Sequence, residues 1–155
     1  RLREGPPAAA KEIGADRTGV RLSPVSPANG ISDSNPQPLY DYIVEQLSAL
    51  NVVYIHVIEG ATGGPRDVAP FDFASLRRRF RNTYLANNGY DLARAQTALK
   101  DGSADLFAFG RPFIANPDLV ERFKAGAPLA ALDPNTLYGK GAKGYSDYPT
   151  MAETA

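Results

Sequence analysis

Four short apolar runs, Thr18 to Ser23, Val52 to Ile58, Asn82 to Ala86 and Ala104 to Phe109, punctuate this 155-residue chain, and helical patterns separate them. Leu39, Tyr42, Ile43, Leu47 and Leu50 recur at a helical spacing, and Phe73 to Phe80 and Leu92 to Lys100 read as two further helices. Strand and helix in alternation predict an α/β chain built on a parallel sheet. Each unit takes about 30 to 35 residues, as a strand plus crossover helix requires. No internal repeat points to a solenoid. Ala8 to Ile13 reads as a short helix weakened by Pro6-Pro7 just before it. Val25 to Pro38 reads as a long loop, Asn116 as the cap of a helix that has Pro117 first and runs to about Lys124, and Ala127 onward as a tail.

Composition removes several function classes. The chain balances 17 basic against 17 acidic residues, which gives no global electrostatic argument for nucleic acid or an anionic membrane. No apolar run approaches the roughly 20 residues that span a bilayer. The first residues carry no apolar stretch of the secretory kind, so a cytoplasmic location is expected. Cysteine is absent, which excludes disulfides, thiolate metal sites and a thiol nucleophile. His56 is the sole histidine, too few for a histidine metal site, so no metal is expected; it reads as a core or helix-facing residue. No Gly-x-Ser-x-Gly elbow accompanies it. Arg77-Arg78-Arg79-Phe80-Arg81 reads as the solvated face of a helix.

The chemistry concentrates at strand ends. Phe109-Gly110-Arg111 follows the last strand, where open backbone N–H groups and a guanidinium suit a phosphate. One unit earlier, Ala86-Asn87-Asn88-Gly89-Tyr90 can adopt positive φ cheaply and form an anion-binding nest. In (β/α)8 barrels the loops after the last two strands often hold a ligand's phosphate. Arg21 lies mid-strand, on the face opposite Val20 and Leu22, where it needs either an anionic ligand or a carboxylate partner. Tyr138, Tyr145 and Tyr148 lie in the tail, where aromatic residues pin a chain to its body and one can reach a site.

These pieces resemble, in order and spacing, the C-terminal half of the old yellow enzyme family, the FMN-dependent ene reductases. The matching segments are Asp16 to Pro24, His56 to Glu59, Ala86 to Tyr90, Ala108 to Leu119, Tyr138-Gly139 and Gly144 to Pro149. The resemblance implies a (β/α)8 TIM barrel of which this chain supplies the last four βα units over residues 10–125, with a leader at 1–9 that departs from the family pattern and a tail at 126–155 packed on the barrel. It implies non-covalent FMN, with Arg21 at the N1/O2 edge of the flavin, Asn88 and Gly89 in one phosphate loop, and Gly110 and Arg111 in the other. Tyr138 matches an aromatic residue at the active-site rim; the family's substrate clamp and proton donor come from earlier strands. NAD(P)H would be the reductant and an activated alkene the substrate. The missing strands imply a complementary N-terminal half-barrel, or less readily a second copy of this chain. Two other readings stay open: a non-catalytic half-barrel that binds FMN weakly, and a different phosphate-binding barrel enzyme.

Overall fold

The computed structural model describes residues 4–30 and 32–154. Part of the expected leader (Arg1 to Arg3), one residue of the expected long loop (Ile31) and the terminal Ala155 lie outside the described residues. The chain divides into two compact units, Arg1–Ala108 and Phe109–Ala155.

The first unit is a four-stranded parallel sheet whose spatial order follows chain order. Its strands are β1 (Gly19–Leu22), β2 (Tyr54–Ile58), β3 (Thr83–Asn87) and β4 (Leu106–Ala108). The helices of this unit are α1 (Gly5–Ile13), α2 (Pro36–Ala49), α3 (Phe73–Arg79) and α4 (Leu92–Lys100). The last crossover, from β3 to β4, is shorter than the other two, so the even spacing read from the sequence does not hold there.

Two helices start earlier than the sequence suggests. Pro6-Pro7 and Pro36, which the sequence suggests as breaker and loop, occupy the first turns of α1 and α2. The N–H that proline lacks has no intrahelical partner in a first turn, and its fixed φ suits the helix. Asp72 caps α3 by accepting from the Ser75 amide, and Asp91 caps α4 by accepting from the Arg94 amide.

Strand alternation sorts the sheet into two faces. Ile55, Val57, Tyr84 and Ala86 pack with Val44 and Leu47 of α2 and with Leu76 and Phe80 beside them, in a fully buried core. The opposite face carries one row with Arg21, His56, Leu85 and Leu106 in register and a second with Ile58, Asn87 and Ala108. This open face is only partly covered, Leu106 being 54% exposed and Tyr54 38%. Below Arg21, the Tyr54 ring fills the space where a Gly19 side chain would stand, since a Cβ there would lie 2.2 Å from it.

The arginine run lies on an exposed helix face, as expected, and three of its members pair with carboxylates of the same unit. Arg77 pairs with Asp105 at 2.8 Å, Arg78 with Asp72 at 2.8 Å, and Arg79 with Asp41 and Glu45.

The second unit holds α5 (Arg111–Ala115), α6 (Leu119–Ala125) and a tail that ends in α7 (Met151–Thr154). Asn116 does not cap a helix that begins at Pro117. Its fully buried side chain instead donates to the Pro112 and Ala130 carbonyls and accepts from the Ala130 amide. The expected helix therefore begins two residues later, at Leu119, and a separate short helix, α5, precedes Asn116. Arg122 ties the tail down by donating to the Pro128 and Pro149 carbonyls. Asn116→Ala is expected to cost about 3 kcal/mol, because it orphans a buried amide and two carbonyls. Urea unfolding monitored by circular dichroism would measure it.

Candidate functional site

The open face converges on Arg21. It stands beside His56 in register, and its guanidinium makes a long 3.5 Å contact with the Asn87 side-chain oxygen. No carboxylate pairs with it among the described residues, so the salt-bridge alternative finds no partner within the sheet. Asn87 is itself oriented by donating to the Ala108 carbonyl at 2.7 Å.

His56 is not the core or helix-facing residue that the sequence suggests: in register it shares the open face with Arg21. Its Nε2 is buried and has no hydrogen-bond partner among the described residues. Burial, and then the neighbouring Arg21 charge, hold its pKa below the ordinary value of 6.5. A depressed histidine pKa favours the neutral ring in the fold. Its contribution to stability is therefore complete above about pH 6.5 and is lost as the pH falls from there through the folded value. The imidazole resonances are expected to titrate below 6.5 in NMR, and His56→Gln should remove that part of the pH dependence of unfolding.

The loop after β3 has the backbone that the sequence suggests. Asn88 has φ +94° and Gly89 φ +66°, both left-handed. The amides of Asn88, Gly89 and Tyr90 donate to no acceptor among the described residues. The Asn88 side chain is 7% exposed and turns inward, donating to the Glu59 and Gly64 carbonyls at 2.9 and 3.3 Å. Asn88 thus braces the loop, and what the loop offers an anion is backbone N–H.

A buried network behind this loop has no counterpart in the sequence reading. Glu59, 5% exposed, follows β2 and faces the helix side of the sheet. Its carboxylate accepts from the Tyr84 hydroxyl at 3.0 Å, from the Tyr90 hydroxyl at 2.7 Å and from Arg66. Arg66 also donates to the Asn88 carbonyl at 2.7 Å and lies over the Tyr90 ring, 4.6 Å from its centroid. Burial and then the Glu59 charge push the Tyr90 pKa up to about 12 and Tyr84 higher still, so both phenols remain donors. A groove of about 720 Å³ opens onto the outer side of this network, with Phe73, Arg94 and Asp101 among its walls. The sequence signal that could have marked the network is Glu59 itself, an acid directly after a strand that is apolar except for His56.

In the second unit, Gly110 precedes α5 with φ −87° and ψ −81°, and Arg111 is the first helical residue. A Cβ on Gly110 would meet nothing within 4 Å. Neither strain nor crowding among the described residues calls for glycine there. Tyr138 is 95% exposed and has φ +59°. The other two tyrosines bond within the tail rather than to the body: the Tyr145 hydroxyl accepts from the Tyr138 amide, and the Tyr148 hydroxyl accepts from the Asp133 amide at 2.9 Å.

Among the described residues no cluster of acidic or histidine side chains could hold a metal ion. None of the described helices is long and apolar enough to cross a membrane.

Parallel βα units with glycine-bearing loops at strand C-terminal ends are the units of a (β/α)8 barrel, the class in which such loops often hold a ligand's phosphate. The chain belongs to the NADH:flavin oxidoreductase / NADH oxidase family, whose model matches residues 7–130. It is 41% identical over 145 residues to a 12-oxophytodienoate reductase-like protein of Solanum lycopersicum, covering 93% of this chain and 39% of that protein. It is 38% identical to 12-oxophytodienoate reductase 2 of Arabidopsis thaliana, covering 96% of this chain and 40% of the relative. The structure matches morphinone reductase in complex with tetrahydroNAD with a TM-score of 0.84 at 41% identity, covering 93% of this chain and 38% of that one. It matches the old yellow enzyme of Trypanosoma cruzi with a TM-score of 0.88 at 34% identity, covering 94% and 38%. The chain therefore spans about 40% of the length of these oxidoreductases, and its four strands are the C-terminal half of their barrel.

Proposed function

We propose that this chain supplies the FMN-holding half of an NAD(P)H-dependent ene reductase. The observation that carries the reading is Arg21, a cation with no carboxylate partner among the described residues, set in register on the open face of a sheet in a chain of a flavin oxidoreductase family. FMN, when bound, passes a hydride from a nicotinamide to the β-carbon of an activated alkene such as an enone, enal or maleimide. The residues present fit that group. Gly110 leaves room for close approach, and Arg111 supplies a guanidinium fork for phosphate. The Asn88–Gly89 loop has amides with no acceptor among the described residues, as a phosphate loop requires. Arg21 places positive charge at the N1/O2 edge of the flavin. Tyr138, held out into solvent, serves the active-site rim.

The open face and the free edges of β1 and β4 call for cover, and the first four βα units of the barrel are its natural source. The partly exposed Leu106 and Tyr54 support this. Native mass spectrometry is expected to detect those units with this chain, and a soluble monomer of this chain alone would refute the assembly.

A visible spectrum tests the central reading. Bound flavin gives a yellow protein, bleached by NADPH without oxygen and restored by an enone. A colourless protein that binds a sugar phosphate would overturn it. A yellow protein that NADPH does not bleach would leave only the non-catalytic reading.

A further inference from the structure

We propose that Glu59 and Arg66 are positioning residues for the FMN phosphate, acting through the shape of the Asn88–Gly89 loop rather than by touching the ligand. The inference rests on the FMN reading above. By strand parity Glu59 lies on the helix side of the sheet, along with Ile55 and Val57, so the pair reaches the loop from behind.

The chain returns to this point through Gly60. Its φ is +103°, and a Cβ there would lie 2.4 Å from the Arg66 Cα. The turn is closed by the Ala61 amide donating to the Pro65 carbonyl at 2.9 Å. Arg66 then divides its donors. One terminal nitrogen holds the Asn88 carbonyl, and the other serves the Glu59 carboxylate and the Tyr90 hydroxyl. Its aliphatic stem lies beneath Gly89, whose absent Cβ would be 3.6 Å from the Arg66 Cδ. Meanwhile Asn88 donates back to the Glu59 carbonyl. The left-handed pair at positions 88 and 89 is thus gripped from both sides, through its carbonyl by Arg66 and through its side chain by the Glu59 backbone. Two consecutive left-handed residues, the first of them not glycine, are costly on their own and persist when surroundings impose them. Because Glu59 neutralises it, Arg66 brings geometry to the loop rather than a second free charge for the phosphate.

Glu59→Gln would set an amide donor against the arginine and tyrosine donors, and Arg66→Met would release the Asn88 carbonyl while keeping a stem under Gly89. The test compares FMN with riboflavin, which has the same ring and no phosphate, by quenching of flavin fluorescence on titration with protein stripped of its flavin. Either variant is expected to weaken FMN about 10-fold or more, the loss of one charge-assisted N–H to phosphate bond, with riboflavin unchanged. The phosphorus NMR signal of bound FMN should also move. Arg66→Lys guards against a variant that fails to fold: it keeps charge and stem but not the fork, and should again lower the FMN to riboflavin affinity ratio. Equal loss for both ligands, or no loss for either, overturns the proposal. Wild-type protein that binds neither flavin would instead overturn the functional reading on which it rests.

Discussion

Arg111→Ala is expected to raise the FMN dissociation constant by about 100-fold while leaving riboflavin binding within about threefold. The argument is local. Arg111 is the first residue of α5, directly after a glycine whose missing side chain leaves open space. A guanidinium there can give two parallel N–H bonds to phosphate oxygens, each worth about 1.5–3 kcal/mol because both partners are charged. Lysine would restore the charge but not the fork, so Arg111→Lys should recover only part of the affinity. Fluorescence titration reads both ligands in one experiment. An FMN constant that changes less than about threefold would remove Arg111 from the phosphate site.

Arg21→Ala should act on the other end of the cofactor, and its signature should be electrochemical. Removing a positive charge near the flavin edge should move the two-electron potential of bound FMN on the order of 40 mV more negative, about 2 kcal/mol at an effective dielectric near 20. Reduction by NADPH should slow accordingly, while FMN affinity changes far less than in Arg111→Ala. The contrast between the two arginines matters: one variant changes occupancy, the other potential. Spectroelectrochemical titration of both would separate them, and an unaltered potential in Arg21→Ala would show that Arg21 does not act on the flavin. His56 beside it bears on the same measurement, because a ring held neutral adds no second charge at working pH.

What could be read from the sequence depended on how local the cause was. The strands, α4 and the opposed faces of β1 follow from alternation and period, which act within a few residues. The left-handed Asn88–Gly89 pair was legible for the same reason. The proline-led starts of α1 and α2 are not legible because one residue has two meanings. Proline breaks a helix from inside and opens one from its first turn, and only the residues after it decide which. Asn116 was misread because its partners lie along the chain in both directions, at Pro112 and Ala130. Reading it as a cap used only the nearer half of that information. The Glu59–Arg66 network was invisible for a further reason. It depends on the chain turning back at Gly60, and no periodicity marks where a loop returns.

The spatial order of the sheet, identical to its order in the chain, has a consequence for how this unit is made. Each strand's partner is the one synthesised just before it, so β2 can dock on β1, and β3 on β2, as the polypeptide lengthens. No pairing among these four strands waits for a distant segment, and each crossover closes a loop of modest length. Assembly during translation then proceeds by addition at one growing edge. A pause or truncation after any strand leaves a smaller version of the same object, with a single fresh edge for the next strand to find.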